Sequence, residues 1–265
     1  MSIHASACVH HGAIIGENVS IGHCALIEDQ VVIGDGTVIG PFSHVRGRTV
    51  IGRNNLIGSH VVLGGDPQDL KFAGEDTELI IGDNNTIREF ASVHRGTVGG
   101  GGITRIGSNC LIMCYAHVAH DCLLGDAVIM SNAAMLAGHV RLDDHVCLGG
   151  MSGIHQFTRI GEYAFVGGVS GVGQDVPPYM LASGGRAKNY GPNLIGLRRQ
   201  GFDNEVIAAL RAAYRRIWRS EMPKKEALES VEAEFGHLPP IRTLLEFVRG
   251  SERGIISPAG DDDKA

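Results

Sequence analysis

Aliphatic side chains recur at every sixth position through the first part of the chain. The run of branched aliphatics covers eleven successive positions: Ile3, Val9, Ile15, Ile21, Ile27, Ile33, Ile39, Val45, Ile51, Ile57 and Leu63. The same phase returns at residues 81–93, and a phase shifted by one residue continues from Ile106 to Val172. Such a short, fixed period predicts a repeat architecture.

A second column of side chains supports this prediction. Four residues after each aliphatic stands a small or slim residue, as at Ala7, Ala13, Val19, Ala25, Val31, Thr37, Ser43, Thr49, Asn55 and Val61, and again from Cys110 to Val146. One large and one small inward position in every six residues predict a parallel β-helix of triangular section, with about 18 residues per coil. Gly often follows the aliphatic residue, and we expect the turn at each corner to use the φ freedom of that Gly.

Two interruptions of the period predict loops near residues 64–78 and 95–104. After Pro177-Pro178 the period becomes helical, with separate patterns from Val206, from Pro223 and from Pro239-Pro240. We therefore expect a mainly β fold in two domains. Residues 1–185 form the β-helix, and residues 186–265 form a small α-helical domain that ends in a disordered acidic tail at 261–263.

Charge is distributed unevenly along the 265 residues. Residues 1–185 hold 9 Lys and Arg against 17 Asp and Glu, residues 186–225 hold 10 against 3, and residues 226–265 hold 4 against 9. A basic island thus lies between acidic stretches. Because the chain is acidic overall and has 5% aromatic residues, nucleic acid is not an expected partner.

The cellular compartment follows from what the sequence lacks. It has no apolar run long enough to span a bilayer, and its N-terminus lacks the features of a signal peptide. We therefore expect a cytoplasmic protein without membrane insertion. In that compartment its six cysteines are expected to be reduced.

Candidate chemistry is concentrated in residues 114–122, which read CYAHVAHDC. The period places Val118 and Cys122 inside the prism and His117, His120 and Asp121 outside it. Residues one coil apart stack at strand spacing. This stacking predicts an outward column of His120, Gly138, Gln156 and Gln174, flanked by His139 and His155.

Two chemical interpretations fit this column. Several neutral imidazoles can bind Zn²⁺, as in the metal-dependent hydratases of the γ-carbonic-anhydrase type. Alternatively, His120 acts as a general base, since imidazole titrates near neutral pH, and the Gly138 N–H faces a developing oxyanion. No Ser or Cys nucleophile stands beside this pair, which favours direct acyl transfer to a bound hydroxyl.

The chain resembles the acyl-acyl-carrier-protein:UDP-N-acetylglucosamine O-acyltransferases, which catalyse the first step of lipid A synthesis. The similarity covers residues 1 to about 255. It is carried by these motifs: Gln68-Asp69-Leu70-Lys71, His94-Arg95-Gly96-Thr97, Ala116-His117-Val118-Ala119-His120-Asp121-Cys122, Leu136-Ala137-Gly138-His139, His155-Gln156-Phe157, Gln174-Asp175-Val176-Pro177-Pro178-Tyr179 and Gly196-Leu197-Arg198-Arg199.

The resemblance implies a left-handed β-helix, a homotrimer and a cofactor-free reaction without a metal. It makes His120 the base on the glucosamine 3-hydroxyl, Gly138 the oxyanion donor and Asp121 a residue that orients His120. The implied substrate-binding residues are Gln68, Asp69, Lys71, His117, His139, His155, Gln156, Asn193 and Arg199. Gly168 stands where bulk sets acyl length in the family, so a longer 3-hydroxyacyl chain is expected.

The acyl carrier protein is the partner expected at the basic island, since the two surfaces have opposite charge. The arginines assigned to docking are Arg198, Arg199, Arg211, Arg215, Arg216 and Arg219. The sequence departs from the family at Ile195, where an acidic residue is usual, and at Gln200, where a second Arg is usual.

Three alternatives to this function stay open at the level of sequence. The first is the metal-dependent hydratase, and the second is a binding or structural β-helix without catalysis. The third is a related amino-sugar acyltransferase, either one that takes the 3-amino analogue of the sugar or the glucosamine N-acyltransferase of the same pathway. That last class usually carries an additional domain before the repeats, whereas here the hexads begin at Ile3 and leave no room for one.

Overall fold

The computed structural model describes residues 2–260. The predicted acidic tail at residues 261–263 lies outside this range. The strands are, in chain order, β1 Ser2–Ile3, β2 Cys8–Val9, β3 Ile14–Ile15, β4 Ser20–Ile21, β5 Leu26–Ile27, β6 Val32–Ile33, β7 Val38–Ile39, β8 His44–Val45, β9 Arg48–Ile51, β10 Leu56–Ile57, β11 Val62–Gly65, β12 Glu78–Ile81, β13 Thr86–Ile87, β14 Ser92–His94, β15 Ile103–Ile106, β16 Leu111–Ile112, β17 His117–Val118, β18 Leu123–Leu124, β19 Ile129–Met130, β20 Met135–Leu136, β21 Arg141–Leu142, β22 Cys147–Leu148, β23 Gly153–Ile154, β24 Arg159–Ile160, β25 Phe165–Val166, β26 Gly171–Val172, β27 Met180–Ser183 and β28 Lys188–Pro192.

In the coils, each strand pairs in parallel with the strand three places later in the chain, as β1 does with β4. This pairing produces the three faces of a β-helix. The faces are sheets of 11, 9 and 8 strands that begin at β1, β2 and β3. Aliphatic residues lie directly above one another, as in the pairs Ile39↔Ile57 and Met130↔Leu148. The predicted parallel β-helix is therefore confirmed.

Both predicted columns of side chains lie inside the prism. Ile27 and Val118 of the aliphatic column are fully buried, and so are Ala116 and Cys122 of the small column. Ile3, in the first of the described coils, is exposed. All six cysteines are free thiols in this structure.

The expectation about the glycines at the corners is wrong. The left-handed backbone conformation falls two residues later, on residues such as Asn54 and His139, with φ of 54° and 62°. The glycines after the aliphatic residues are required for a different reason. A Cβ on Gly34 would lie 2.7 Å from the carbonyl carbon of Gly52 in the next coil, so the close approach of the backbones excludes a side chain.

Polar residues in the small column bond to the backbone of neighbouring coils. The Asn85 Nδ2 donates to the Gly107 carbonyl at 3.0 Å, and its Oδ1 accepts from the Cys110 N–H at 2.8 Å. Asn55 uses its Oδ1 in the same way on the Asn85 N–H, at 2.9 Å. These amides satisfy buried backbone groups at the corners, which explains how the core tolerates them.

Two loops leave the prism, one between β11 and β12 and one between β14 and β15. The second loop contains a short 3₁₀ helix at Val98–Gly100. Beyond the coils, β27 continues the 11-stranded sheet and β28 pairs with β27 in antiparallel orientation. The periodicity did not reveal this hairpin.

The C-terminal region packs on the last coils through four helices: α1 Leu194–Arg199, α2 Asn204–Trp218, α3 Lys224–Phe235 and α4 Pro239–Arg249. The three longer helices coincide with the three predicted helical patterns, whereas α1 was not anticipated. Within residues 2–260, no helix has the length and apolar character needed to cross a membrane. The division of the chain at residue 185 falls between β27 and β28 and stays a prediction.

Asn85→Ala should lower the free energy of unfolding by about 2–4 kcal/mol, because the buried Cys110 N–H and Gly107 carbonyl would lose their partners. Chemical denaturation at one protein concentration measures this change. Thr86→Ala, on the half-exposed neighbouring position, should cost less than half as much. Equal losses for the two variants would contradict the role given to the amide.

Candidate active site

The predicted histidine column forms one edge of the prism, where the chain turns from the 9-stranded sheet to the 8-stranded sheet. We call residues 120–121, 138–139 and 156–157 the histidine edge. Asp121, His139 and Phe157 take the left-handed conformation there, with φ of 60–63°. The His139 N–H donates to the His120 carbonyl at 3.0 Å, and the Phe157 N–H donates to the Gly138 carbonyl at 3.2 Å. The coil repeat therefore aligns these residues as the sequence predicted.

The second loop covers Asp121, whose side chain is 0% exposed. The His120 Nδ1 lies 2.7 Å from the Asp121 Oδ2. Thr97 in the loop donates its N–H to the Asp121 Oδ1 and its hydroxyl to Oδ2, both at 2.7 Å. The side chain leaves the prism outward, as predicted, but it is enclosed rather than solvated.

An ionised carboxylate only accepts hydrogen bonds, so the Asp121 contact fixes a proton on the His120 Nδ1. The other ring nitrogen, Nε2, is then an acceptor able to remove a proton from a bound group. Asp121 thus has the geometry of a residue that orients a general base.

Gly138 lies one coil above His120, in contact with its ring. A Cβ at this position would approach the ring Cε1 to 2.6 Å and Nε2 to 2.8 Å, so a side chain here would displace the imidazole. Among residues 2–260 the Gly138 N–H has no hydrogen-bond acceptor. A backbone donor is therefore available beside the acceptor nitrogen.

Three further histidines surround His120, and each has a lowered pKa. Burial, with the neighbouring His117 and His120, lowers the pKa of His94 to about 4. Burial also lowers the pKa of His117, whose Nδ1 lies 2.8 Å from the Ser92 hydroxyl. These rings are neutral near pH 7, so they line the site without placing positive charge beside His120.

His139 stacks on Phe157, with ring centroids 4.4 Å apart, and meets His120 edge-on at 5.2 Å. Burial lowers the pKa of His139, whereas the charges of Asp121 and Asp69 act to raise it. Asp69 of the first loop therefore lies close enough to His139 to act on its charge.

A small set of contacts holds the first loop. The Asp69 Oδ1 accepts the Lys71 N–H at 3.0 Å, and the Lys71 and Gln68 side chains are exposed. Arg95 of the second loop bonds Asp66 at 2.7 Å and lies 5.1 Å from the centre of the Phe72 ring. Arg95 thus ties the two loops together.

Gln156 of the histidine edge and the adjacent His155 are both exposed. An Arg253 guanidinium nitrogen lies 2.8 Å from the His155 Nδ1, and its Nε donates to the Gly173 carbonyl at 2.8 Å. Sequence reasoning missed Arg253, which lies far along the chain in the helical region without a local motif. His94 and Thr97 belong to one of the family motifs, but the sequence did not indicate a role for either.

An open groove of about 710 Å³ runs along the 9-stranded face and begins beside the histidine edge. The outward side chains on this face become smaller from one coil to the next, from Met135 to Gly153 and Gly171. Arg186 and Lys188 also line the groove. The groove therefore offers an apolar floor next to His155.

Other predicted site residues lie on different edges of the prism. The Asn193 side chain caps α1 through the Gly196 N–H and donates to the Tyr163 carbonyl at 3.2 Å. Arg199, also on α1, is exposed. Gly168 is exposed beside Gly150 on the third edge. One chain does not bring these residues to His120.

The arginines predicted to dock the carrier protein divide into two groups. Arg216 forms an ion pair with Glu234 at 2.8 Å, and Arg219 donates to the Tyr214 hydroxyl at 3.1 Å. Arg198, Arg211 and Arg215 are exposed. Arg211 and Arg215 lie four residues apart on α2 and line a cavity of about 540 Å³ together with Arg219 and Tyr190.

The same edge contains the residues that could bind a metal ion. Ligand atoms of His120, Asp121 and His139 lie within 4.8 Å of one another. However, the Asp121 Oδ2 already accepts bonds from the Thr97 hydroxyl and from the protonated His120 Nδ1. The donor set is therefore used within the protein, and it fits an acid–base pair better than a metal.

Comparisons with known proteins agree with this geometry. Residues 30–65 match the model of the bacterial transferase hexapeptide (six repeats), and residues 175–256 match domain 2 of the UDP-N-acetylglucosamine O-acyltransferase model. The acyl-acyl-carrier-protein–UDP-N-acetylglucosamine O-acyltransferases of Aliarcobacter butzleri and Paraburkholderia phytofirmans are 47% and 49% identical to this chain over 258 residues. These alignments cover 96% of this chain and 97% and 98% of the relatives.

The structure of LpxA from Acinetobacter baumannii is similar over 96% of this chain and 99% of that chain, with 43% identity and a TM-score of 0.93. The fold is the left-handed parallel β-helix followed by a small helical region. Because the relatives are this similar over almost the whole chain, the chain belongs to the family of acyl-acyl-carrier-protein–UDP-N-acetylglucosamine O-acyltransferases.

Proposed function

We propose that this chain transfers a 3-hydroxyacyl group from acyl carrier protein to the glucosamine 3-hydroxyl of UDP-N-acetylglucosamine, the first step of lipid A synthesis. The observation that carries the proposal is the His120–Asp121 pair, whose Nε2 lies next to Gly138, a residue whose N–H has no acceptor among residues 2–260. The relatives' shared activity supplies the substrate class.

The proposed reaction needs no covalent acyl-enzyme. The His120 Nε2 removes the proton of the sugar hydroxyl as its oxygen attacks the thioester carbonyl carbon. The Gly138 N–H donates to the resulting oxyanion. The intermediate collapses by breaking the C–S bond, and the imidazolium returns its proton to the departing thiolate, which yields an ester and a free thiol.

The surroundings of His120 support binding of an anionic sugar nucleotide. His117, His139, His155 and Gln156 would line the sugar and pyrophosphate pocket, with Asp69 and Lys71 approaching from the first loop. The neutral, partly buried rings of His117 and His139 supply hydrogen-bond groups without a fixed charge. The groove along the 9-stranded face has the apolar floor that an acyl chain requires.

The nucleotide-binding residues imply a second copy of the chain. Asn193 and Arg199 lie on an edge different from that of His120, so they would reach the sugar nucleotide only across an interface between prisms. A homotrimer with sites in its clefts meets this requirement. Acyl carrier protein would dock on the exposed arginines, chiefly Arg211 and Arg215.

His120→Ala should reduce kcat/KM for acyl transfer about 10²- to 10⁴-fold, because the reaction loses its general base. The assay uses 3-hydroxyacyl carrier proteins of several chain lengths and UDP-N-acetylglucosamine, in the presence of a chelator. His11→Ala, on an exposed residue at the base of the prism, is the matched control. Activity that is lost in chelator and restored by zinc would instead support the metal-dependent alternative.

Gly168→Met should shift the preferred donor towards shorter acyl chains, because the new side chain would occupy space used by the end of the chain. Loss of room for two methylenes corresponds to about a tenfold change in relative kcat/KM between neighbouring donors. Val169→Met adds the same side chain at the adjacent exposed position and should leave the preference unchanged. An unaltered donor preference in Gly168→Met would remove this residue from length selection.

Reversing the charge of Arg211 and Arg215 to Glu should weaken binding of acyl carrier protein at least tenfold and reduce the salt dependence of that binding. Binding of UDP-N-acetylglucosamine should be preserved, and both affinities can be measured by calorimetry. Lys224→Glu with Lys225→Glu makes the same change in net charge at the start of α3. Equal loss of carrier and sugar-nucleotide binding would contradict a docking role.

A further inference from the structure

The Asp121 carboxylate is a buried charge whose partners come largely from outside its own coil. Its side chain accepts three hydrogen bonds, one from the His120 ring and two from Thr97 in the loop between β14 and β15. A buried carboxylate without such donors would be strongly destabilised. The loop therefore supplies most of the stabilisation of the charge that orients His120.

The local structure of the loop places both Thr97 donors on this carboxylate. Thr97 is extended, with φ −118° and ψ 154°, and caps the 3₁₀ helix by accepting the Gly100 N–H on its hydroxyl oxygen at 3.2 Å. A Cβ on Gly100 would overlap the Asp121 carboxylate, so only glycine lets the loop close over it. The cap and the glycine fix the position of the Thr97 hydroxyl.

The direction of each proton follows from this geometry. The Gly100 N–H occupies a lone pair of the Thr97 oxygen, and the Thr97 proton points to the Asp121 Oδ2. The same Oδ2 accepts from the His120 Nδ1. Thr97 therefore holds the carboxylate in the orientation that keeps the His120 proton on Nδ1 and leaves Nε2 free.

We infer that Thr97 is a positioning residue for the reaction, which acts through Asp121 to set the tautomer and proton affinity of His120. This inference rests on the proposed function for its kinetic readout. Thr97 is itself 8% exposed and does not line the open groove, so it is not expected to touch either substrate.

The charge balance around His120 determines the direction of the pH effect. Asp121 is bonded to it, His139 meets it from the coil above, and His94 and His117 approach from β14 and β17. Asp69 reaches His139 from the first loop. The Thr97 hydroxyl and the His120 ring both donate to the Asp121 Oδ2. Without the hydroxyl, the carboxylate keeps more of its negative charge for His120 and attracts the imidazolium more strongly.

Thr97→Val removes the hydroxyl but keeps the backbone N–H and the branched shape of the side chain. We expect kcat to fall about tenfold, with KM for UDP-N-acetylglucosamine unchanged and the acid limb of the pH–rate profile moved to higher pH. Thr97→Ser keeps the hydroxyl and should restore both properties. A lower rate with an unmoved pH–rate profile would indicate only a loss of folded protein and would contradict a positioning role.

Thr37→Val is the matched control, since the Thr37 hydroxyl is also buried and bonded, at 2.9 Å to the Gly52 carbonyl, but lies in a lower coil. It should lower stability without moving the pH–rate profile. An unshifted profile and an unchanged kcat in Thr97→Val, with active wild type, would overturn the inference.

A second readout requires no substrate and separates the inference from the proposed function. ¹⁵N chemical shifts of the His120 ring in labelled protein report which nitrogen carries the proton. We expect an Nδ1–H ring in wild type and in Thr97→Ser, and a mixed tautomer population in Thr97→Val. Wild type without transfer activity would reject the proposed function, whereas identical ring shifts in all three proteins would reject the role of Thr97.

Discussion

The backbone hydrogen bonds between successive coils are the constraint on which the rest of this structure depends. They fix one repeat directly above the next, so that Leu136 stacks on Val118 and Ile154 on Leu136 without drift. A side chain at a given point of the repeat therefore has a known neighbour one coil away. The chemistry at the edge is built from this rule, because Gly138 lies next to the His120 ring only if the coils hold that alignment.

The same constraint explains why function requires the loops. A prism edge built only from repeats exposes its polar residues to water, where a carboxylate and an imidazole interact weakly. The loop between β14 and β15 encloses Asp121, and Arg95 anchors the first loop to the second. Two interruptions of a regular repeat thus convert an exposed column into a partly dry site, in which a single hydrogen bond can determine a tautomer.

The sequence predicted the elements that follow a period and missed those that depend on contacts distant in the chain. The aliphatic column identified the coils, and the stacking rule identified the edge with His120 and Gly138. The role of Thr97 required knowing that residues 97 and 121 meet, and the position of Arg253 required the packing of the C-terminal segment on Gly173. The reason given for the corner glycines was wrong because the conformation at each corner and the closeness of the coils fall on different residues of the repeat.

A triangular prism presents its edges in different directions, which has a consequence for any large substrate. His120, α1 with Arg199, and Gly168 lie on three separate edges, and no bending of a stacked β-helix brings two edges of one coil together. A sugar nucleotide that uses residues from two edges must therefore lie between two copies of the chain. The proposed trimer then contributes more than stability, since each cleft would combine the general base of one copy with the nucleotide-binding residues of its neighbour.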